Sequence, residues 1–556
     1  MKRIRIYLAI AAAVLAATSC NDWLQLAPID YYGSEGYWKT EAQATGYIHG
    51  LHNSMRAHYN LHVDQFGDLR GGLWQTGVSI DGTALSYGDI INRNFDVDHT
   101  MTTNYGNIFG RITNCNLFIE RVEKNPDYPI DAARKNYYLG IVHGLRAFYF
   151  FDLYRNYGGV PLRTGVEVID GELDPKNLYM EQAKASEVAA LIQSDIEASL
   201  SFFGSENGFN PFNIDGTGGG GKHYWSKAAT EALAAEFYLW QAKVSTGDYT
   251  ASGPNGADLQ KAEQHLKSLE SNYGLSLQKD FKSIFSTSNK CNSEVIFAYY
   301  FDETEATNNR NIWTMQTNAE IVGAGYLKDG TKITAALLTE LFNSFTRLDL
   351  EYKTETLKLF DEDADTRYGA TFFPVYRMNG DEELELKGSL VWKNIGHISS
   401  TSGVRTFDGD IILYRLPWVY LSLAEVANMK GDNASVKKYI DLVRERAYAE
   451  NWDPAVYGYT AGDFKTNELA ILNEKTKEFV QEGQRWYDMR RMKGSANGGP
   501  ETAFVFDPDA VIENFVETDA TVRPLLNYAT EAHKVLLPLD KNLLNNDVVL
   551  KQTPGY

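Results

Sequence analysis

Residues 137–157 constrain the fold of this chain more than any other stretch. Tyr137, Ile141, Leu145 and Phe148 recur at i, i+4, i+8 and i+11, the spacing of one helix face. Gly158, Gly159 and Pro161 then stop the helix. The same geometry returns from Trp225 through Ala229, Leu233, Phe237 and Trp240, ending near Gly247, with enough alanine for a partner helix to come close. Two stretches share a Gly-Asp joint: "KVSTGDY" at 243–249 leads into "LQKAEQHLKSLE", and "ANMKGDN" at 427–433 leads into "SVKKYIDLVRERA". Antiparallel helices joined this way are the unit of tetratricopeptide-like arrays, although the full consensus of that repeat is absent. The expectation is an all-α dominated fold, a stack of helical hairpins.

Other segments have a different texture. Residues 204–222 and 251–257 are glycine-rich loops. Between about 280 and 410, β-like runs such as "EVIFAYYF" at 294–301 and "TFFPVYRM" at 371–378 alternate with polar loops. Irregular segments inside a compact domain commonly carry function, so a ligand site is expected in this middle third.

The N-terminus reads as a leader. Lys2, Arg3 and Arg5 precede an apolar run from Ile6 to Ala17, too short to span a bilayer, and Thr18 and Ser19 lead to Cys20. A cysteine there can take a diacylglycerol and, after cleavage, a further acyl chain, and several chains together anchor stably. Cys20 is therefore expected to be the lipidated first residue of the mature chain, although Ala17 stands where a lipoprotein box usually has Leu. No second run of the 556 residues approaches spanning length, so the rest is expected to be a soluble globule on a tether.

Charge excludes one class of partner. A net charge of −20 repels nucleic acid, whose binding needs clustered Lys and Arg. Beyond Cys20 only Cys115 and Cys291 remain, too few for a zinc site resting on cysteine alone, and both are expected to be buried thiols. Tyr and Trp number 34 and 10, a supply heavy enough that part of it must sit at surfaces.

Near-motifs fail on chemistry. "GTGGGGKH" at 216–223 has His223 where a phosphate loop needs Ser or Thr, and no buried strand precedes it. His58 and His62 have the spacing to share a metal, but the Glu of a zinc-protease helix is missing between them. "DEDADT" at 361–366 begins like a calcium loop, yet Thr366 replaces the turn glycine and Phe372 the bidentate Glu. No nucleophile elbow or Cys/His pairing is visible, and neither an enzyme nor a cofactor is expected.

Six ordered blocks carry a family resemblance. They are "CNDWL" at 20–24, "GLRAFYFFDLYRNYGGVPL" at 144–162, "WSKAATEALAAEFYLW" at 225–240, "YLSLAEVANMKGD" at 420–432, "EFVQEGQRWYDMRRMK" at 478–493, and the closing "LLPLDKNLLNNDVVLKQTPGY". Together they resemble the SusD/RagB-like nutrient-binding lipoproteins of the Bacteroidetes outer membrane. Lys475, Asp540 and Thr553 depart from the family pattern within framework segments. The resemblance implies a leader at 1–19, a SusD-like N-terminal region at 20–222, and a RagB/SusD region at 223–556 with an irregular insertion at about 280–410. It also implies four tetratricopeptide-like units and a surface protein that captures oligosaccharide for a TonB-dependent, SusC-like transporter. A peptide receptor of the RagB kind and a structural helical-repeat adaptor are the alternatives.

Arg146 and Arg485 are expected to hold buried ion pairs or carbonyls rather than ligand. For a sugar, an aromatic platform flanked by polar side chains is the suitable chemistry. Tyr299, Tyr300, Asn308, Asn309, Arg310 and Trp313 form one such mixture, and Arg70, Trp74 and Asp81, between Asp64 and Tyr87, form another. From these, Trp74, Arg70, Asp81, Tyr300, Asn308, Arg310 and Trp313 are the expected ligand contacts.

Overall fold

A computed structural model describes residues 37–76, 88–100, 105–166, 179–216, 220–308, 325–342, 350–512 and 523–556. The leader, Cys20, Asp81, Asn309, Arg310 and Trp313 lie outside these described residues.

The helical periodicity becomes a stack. α1 (Glu41–Arg56) starts at Thr40, whose side chain and that of Gln43 satisfy each other's backbone N–H groups in a capping box. α2 (Tyr105–Phe118) packs on α1 and on α3 (Ala132–Tyr157). α3 is capped by the Asp131 carboxylate and ends at Gly158, whose φ of 75° is a conformation that side chains disfavour. It is buried without a break from Tyr137 to Tyr157, so it is the central rod and not an amphipathic surface helix. α4 (Ala185–Phe203) and α5 (Lys227–Lys243) follow, and the approach of α3 to the start of α5 depends on Gly144, where a Cβ would sit 2.2 Å from Trp225 Nε1.

Both Gly-Asp joints lie between paired helices. α5 returns as α6 (Ala257–Asn272), and α7 (Leu416–Met429) returns as α8 (Asn433–Tyr448), whose N-cap is Asp432. α9 (Phe464–Glu478) also packs on α7, and the short α10 (Arg485–Arg491) packs against a π-helical stretch, Asn60–Asp68, that closely follows α1. No helix among the described residues is long and apolar enough to cross a membrane.

Strands fall on the β-like runs at 294–301 and 371–378 and also outside that middle third, at 74–76, and they form two-stranded antiparallel pairs among the described residues. β1 (Trp74–Thr76) pairs with β3 (Leu350–Tyr352), and β2 (Val295–Tyr299) pairs with β8 (Ile411–Arg415). β4 (Phe372–Met378) pairs with β5 (Leu384–Val391), and β6 (His397–Ile398) with β7 (Arg405–Thr406). The β2–β8 ribbon is held to the helices by buried charge: Arg415 lies 2.9 Å from Glu294, 2.5 Å from Glu478 and 2.7 Å from Glu482. With its donors spread over three carboxylates, Arg415 joins the foot of β2, the end of β8 and the C-terminus of α9.

Candidate functional site

Antiparallel pairing sets Tyr299 opposite Ile411, so the chain leaving β2 runs beside the chain entering β8. Asp410, just before β8, uses both oxygens. Oδ1 accepts from the backbone N–H of Phe301 at 3.1 Å, and Oδ2 lies 2.6 Å from His223 Nε2. The Lys290 ammonium sits 3.5 Å from the same carboxylate and donates to the Phe301 carbonyl. The half-buried ring of Tyr300 is held between these cations, with its centroid 4.8 Å from the His223 ring and 5.3 Å from Lys290 Nζ. Burial by itself would lower the His223 pKa, but its bonds to Asp410 and Cys291 push it up to about 10. The imidazole is therefore charged at neutral pH and acts as a donor.

α1 forms the facing wall. Arg56 reaches Glu305 at 2.9 Å and the Tyr300 carbonyl at 3.4 Å, and His49 Nδ1 lies 2.6 Å from the Tyr224 hydroxyl. His52, one turn on, accepts from Trp225 N–H through Nε2 at 2.9 Å and has Nδ1 2.8 Å from the Ile48 carbonyl, an arrangement only the neutral ring satisfies. Burial, the first cause, brings its pKa down to about 4. Between the walls lies a cavity of about 470 Å³, with Asn53, Asp215, Tyr224, Tyr300 and Glu305 on its lining. It offers aromatic faces together with a rim of donors and acceptors.

The expected contacts separate. Tyr300 lines the cavity. Asn308 is buried on the adjoining loop, donating from its backbone to the Phe407 carbonyl at 2.7 Å and from Nδ2 to the Gly409 carbonyl at 2.9 Å. Arg70 and Trp74 require a correction. Arg70 is fully buried, donating to Asn156 at 2.6 Å and lying 4.5 Å over the Trp486 ring. Trp74 is 3% exposed, and its ring packs, tilted by 35°, on that of its β3 partner Tyr352 with centroids 3.8 Å apart. Neither presents a face to ligand: β1–β3 pairing turns Trp74 into the core, and Arg70, just after the π-helical stretch, is drawn in by the Phe66 carbonyl, Asn156 and the Trp486 ring. Tyr299 is likewise buried.

Sequence reasoning missed most of this cleft. It found no Cys/His pairing, yet the fold brings Cys291 Sγ to 3.3 Å from His223 Nε2 across 68 residues. Cys291 is only half-buried, where a fully buried thiol was expected; Cys115 is fully buried, and burial pushes its thiol up to about 12. No local spacing signals a pairing made by tertiary contact.

The near-motifs are occupied by protein partners. Lys222 Nζ donates to the Asn292 carbonyl at 2.7 Å. His58 and His62 both hold Asp152, at 2.9 and 2.8 Å, and Arg155 takes the same carboxylate at 2.9 Å. His58, His62 and Asp152 are the group of described residues with metal-ligand proximity, but the Asp152 carboxylate is already engaged by Arg155. They tie the π-helix to α3. Asp365, in the calcium-like run, pairs with Arg367 at 2.7 Å and caps a short helix.

Comparison with known proteins gives a consistent picture. A model described as the SusD family matches residues 391–556, and one described as "Starch-binding associating with outer membrane" matches residues 77–213. A SusD-like protein of Formosa agariphila is 24% identical over 505 residues, 88% of this chain and 91% of that one. A crystal structure of a SusD superfamily protein from Bacteroides fragilis is 48% identical with a TM-score of 0.83, covering 94% of this chain and all of its own. The NanU structure from the same species is 28% identical with a TM-score of 0.76, over 96% of this chain and all of its own.

Proposed function

The chain belongs to the SusD superfamily, and from that membership we propose that it is a surface lipoprotein that captures oligosaccharide for a TonB-dependent outer-membrane transporter. The observation that carries the ligand class is the Tyr300 cleft. A sugar ring has an apolar C–H face suited to a tyrosine ring, and a rim of hydroxyls suited to groups such as Arg56, Asn53 and Asp215. The name of the family model over 77–213 speaks of starch binding and the outer membrane, which supports both ligand and location.

Asn308 leads directly into the segment carrying Arg310 and Trp313, and β1 leads into the one carrying Asp81. Arg310 and Trp313 are assigned to the extended platform on that basis, and Asp81 is proposed as a further polar contact. Cys20 is assigned the lipid anchor. The partner is a SusC-like transporter, over which the receptor sits as a lid.

Two measurements test the reading. Titration of the soluble chain against a glycan library should give saturable binding that Tyr300→Ala weakens; saturable binding of peptides with no glycan binding would replace the ligand class. Native purification from mildly solubilised membranes should recover a transporter across an interface above roughly 1,000 Å². Isolation of the receptor alone, even after crosslinking, would overturn the lid arrangement.

A further inference from the structure

A second cavity, of about 410 Å³, opens where the end of α5, the turn at 250–254, the end of α10 and the glycine-rich turn at 496–500 meet. On a chain of net charge −20 it is lined by four cations, Lys243, Arg490, Arg491 and Lys493. Two are neutralised within the protein. Lys243 pairs with Glu425 at 3.1 Å and with Glu468, and Arg491 pairs with Glu425 at 2.8 Å and Asp488 at 2.5 Å.

The other two have no such partner. Arg490 and Lys493 are each 5% exposed, and neither forms an ion pair with any described carboxylate. Arg490 donates to the Arg155 carbonyl and lies 4.8 Å over the Trp240 ring, and among the described residues the Lys493 ammonium reaches only the Gly498 carbonyl, at 3.3 Å. A guanidinium has five N–H donors and an ammonium three, so donors remain on both. Burial, followed by repulsion from Arg70, pushes Arg490 down to about 9. Burial and then Lys243, opposed by Glu468 and Glu501, push Lys493 down to about 8. Buried charge without a counterion is strongly unfavourable, and these two share one cavity. Val505, Phe506 and Val535 supply an apolar wall.

We infer that this cavity is an anion site, separate from the Tyr300 cleft, that takes a small organic molecule through one carboxylate or sulfate group. The oxyanion sits against Arg490 and Lys493, and the remainder of the molecule packs on the apolar wall.

The test is thermal unfolding and calorimetric titration of the mature chain with sulfate, acetate and benzoate, each matched in ionic strength by chloride. Sulfate is expected to raise the melting temperature beyond the chloride control, and benzoate to bind more tightly than acetate because its ring reaches the wall. Lys493→Met keeps the aliphatic stem and removes the charge; it should lower sulfate affinity at least tenfold while the melting temperature in chloride stays level or rises. Arg490→Gln keeps a donor for the Arg155 carbonyl and serves if the first variant does not fold. Stabilisation equal to that of chloride, or sulfate binding undiminished in the folded variants, would overturn the site.

Discussion

Arg146 grips Asp195 with two hydrogen bonds, Nε to Oδ2 at 2.8 Å and Nη2 to Oδ1 at 2.7 Å, locking α3 to α4 inside the stack. Its remaining arm donates to Asn116 at 2.9 Å, and His143 adds a contact to Asp195 at 2.8 Å. The expectation from sequence that this arginine holds a buried ion pair is met. Arg485 meets the companion expectation by donating to the Ala510 carbonyl at 3.1 Å and the Thr476 hydroxyl at 2.7 Å.

Arg146→Met leaves Asp195 buried without its main counterion. Breaking a buried pair from one side costs about 3–5 kcal/mol. The urea midpoint should fall accordingly, and a midpoint within error of the parent would show that the pair contributes nothing.

Stability should also depend on pH. Glu474 is buried 2.8 Å from both Arg367 and Arg444. Burial by itself would raise its pKa, but the two guanidiniums dominate and hold it at about 2, against 4.5 for the free group. Glu478 is held low in the same way by Arg446 and then Arg415, and Glu482 by Arg415 and Lys393. The folded state thus binds these protons more weakly than the unfolded chain, so the contribution is complete above the unfolded pKa of roughly 4.5 and disappears as pH falls toward 2. Urea midpoints measured down the acid limb should be flat and then drop through that window; a flat profile throughout contradicts the assignment.

For the ligand cleft, Tyr300→Ala should weaken oligosaccharide binding at least tenfold, about 1.4 kcal/mol, with little change in melting temperature. Trp313→Ala should do the same if the platform extends beyond Asn308. Trp74→Ala is the contrasting case. Buried on Tyr352, it should destabilise the fold by about 3–5 kcal/mol. Full affinity in a stable Tyr300→Ala protein would remove this tyrosine from the site.

Cys20→Ala should abolish palmitate labelling and release the chain from the membrane fraction with its helical content intact. Retention of both label and membrane association would refute the anchor.

Local periodicity determined much of this protein before any tertiary contact was known. The helix that spans 137–157, both Gly-Asp joints and the strands at 295–299 and 372–378 were legible, because backbone hydrogen bonding and a repeating apolar face are properties of neighbouring residues. Ordered motifs also identified the family. What only the tertiary structure decided is which polar and aromatic side chains face a cavity. Trp74 and Tyr300 have similar local settings, yet strand pairing buries the first and leaves the second at the cleft. His223 meets Asp410 across 187 residues, and Glu425 is taken by Lys243 and Arg491, while Arg490 and Lys493 have no ion pair among the described residues. An amphipathic side chain suits core and surface alike, so its role is settled by what the fold packs against it.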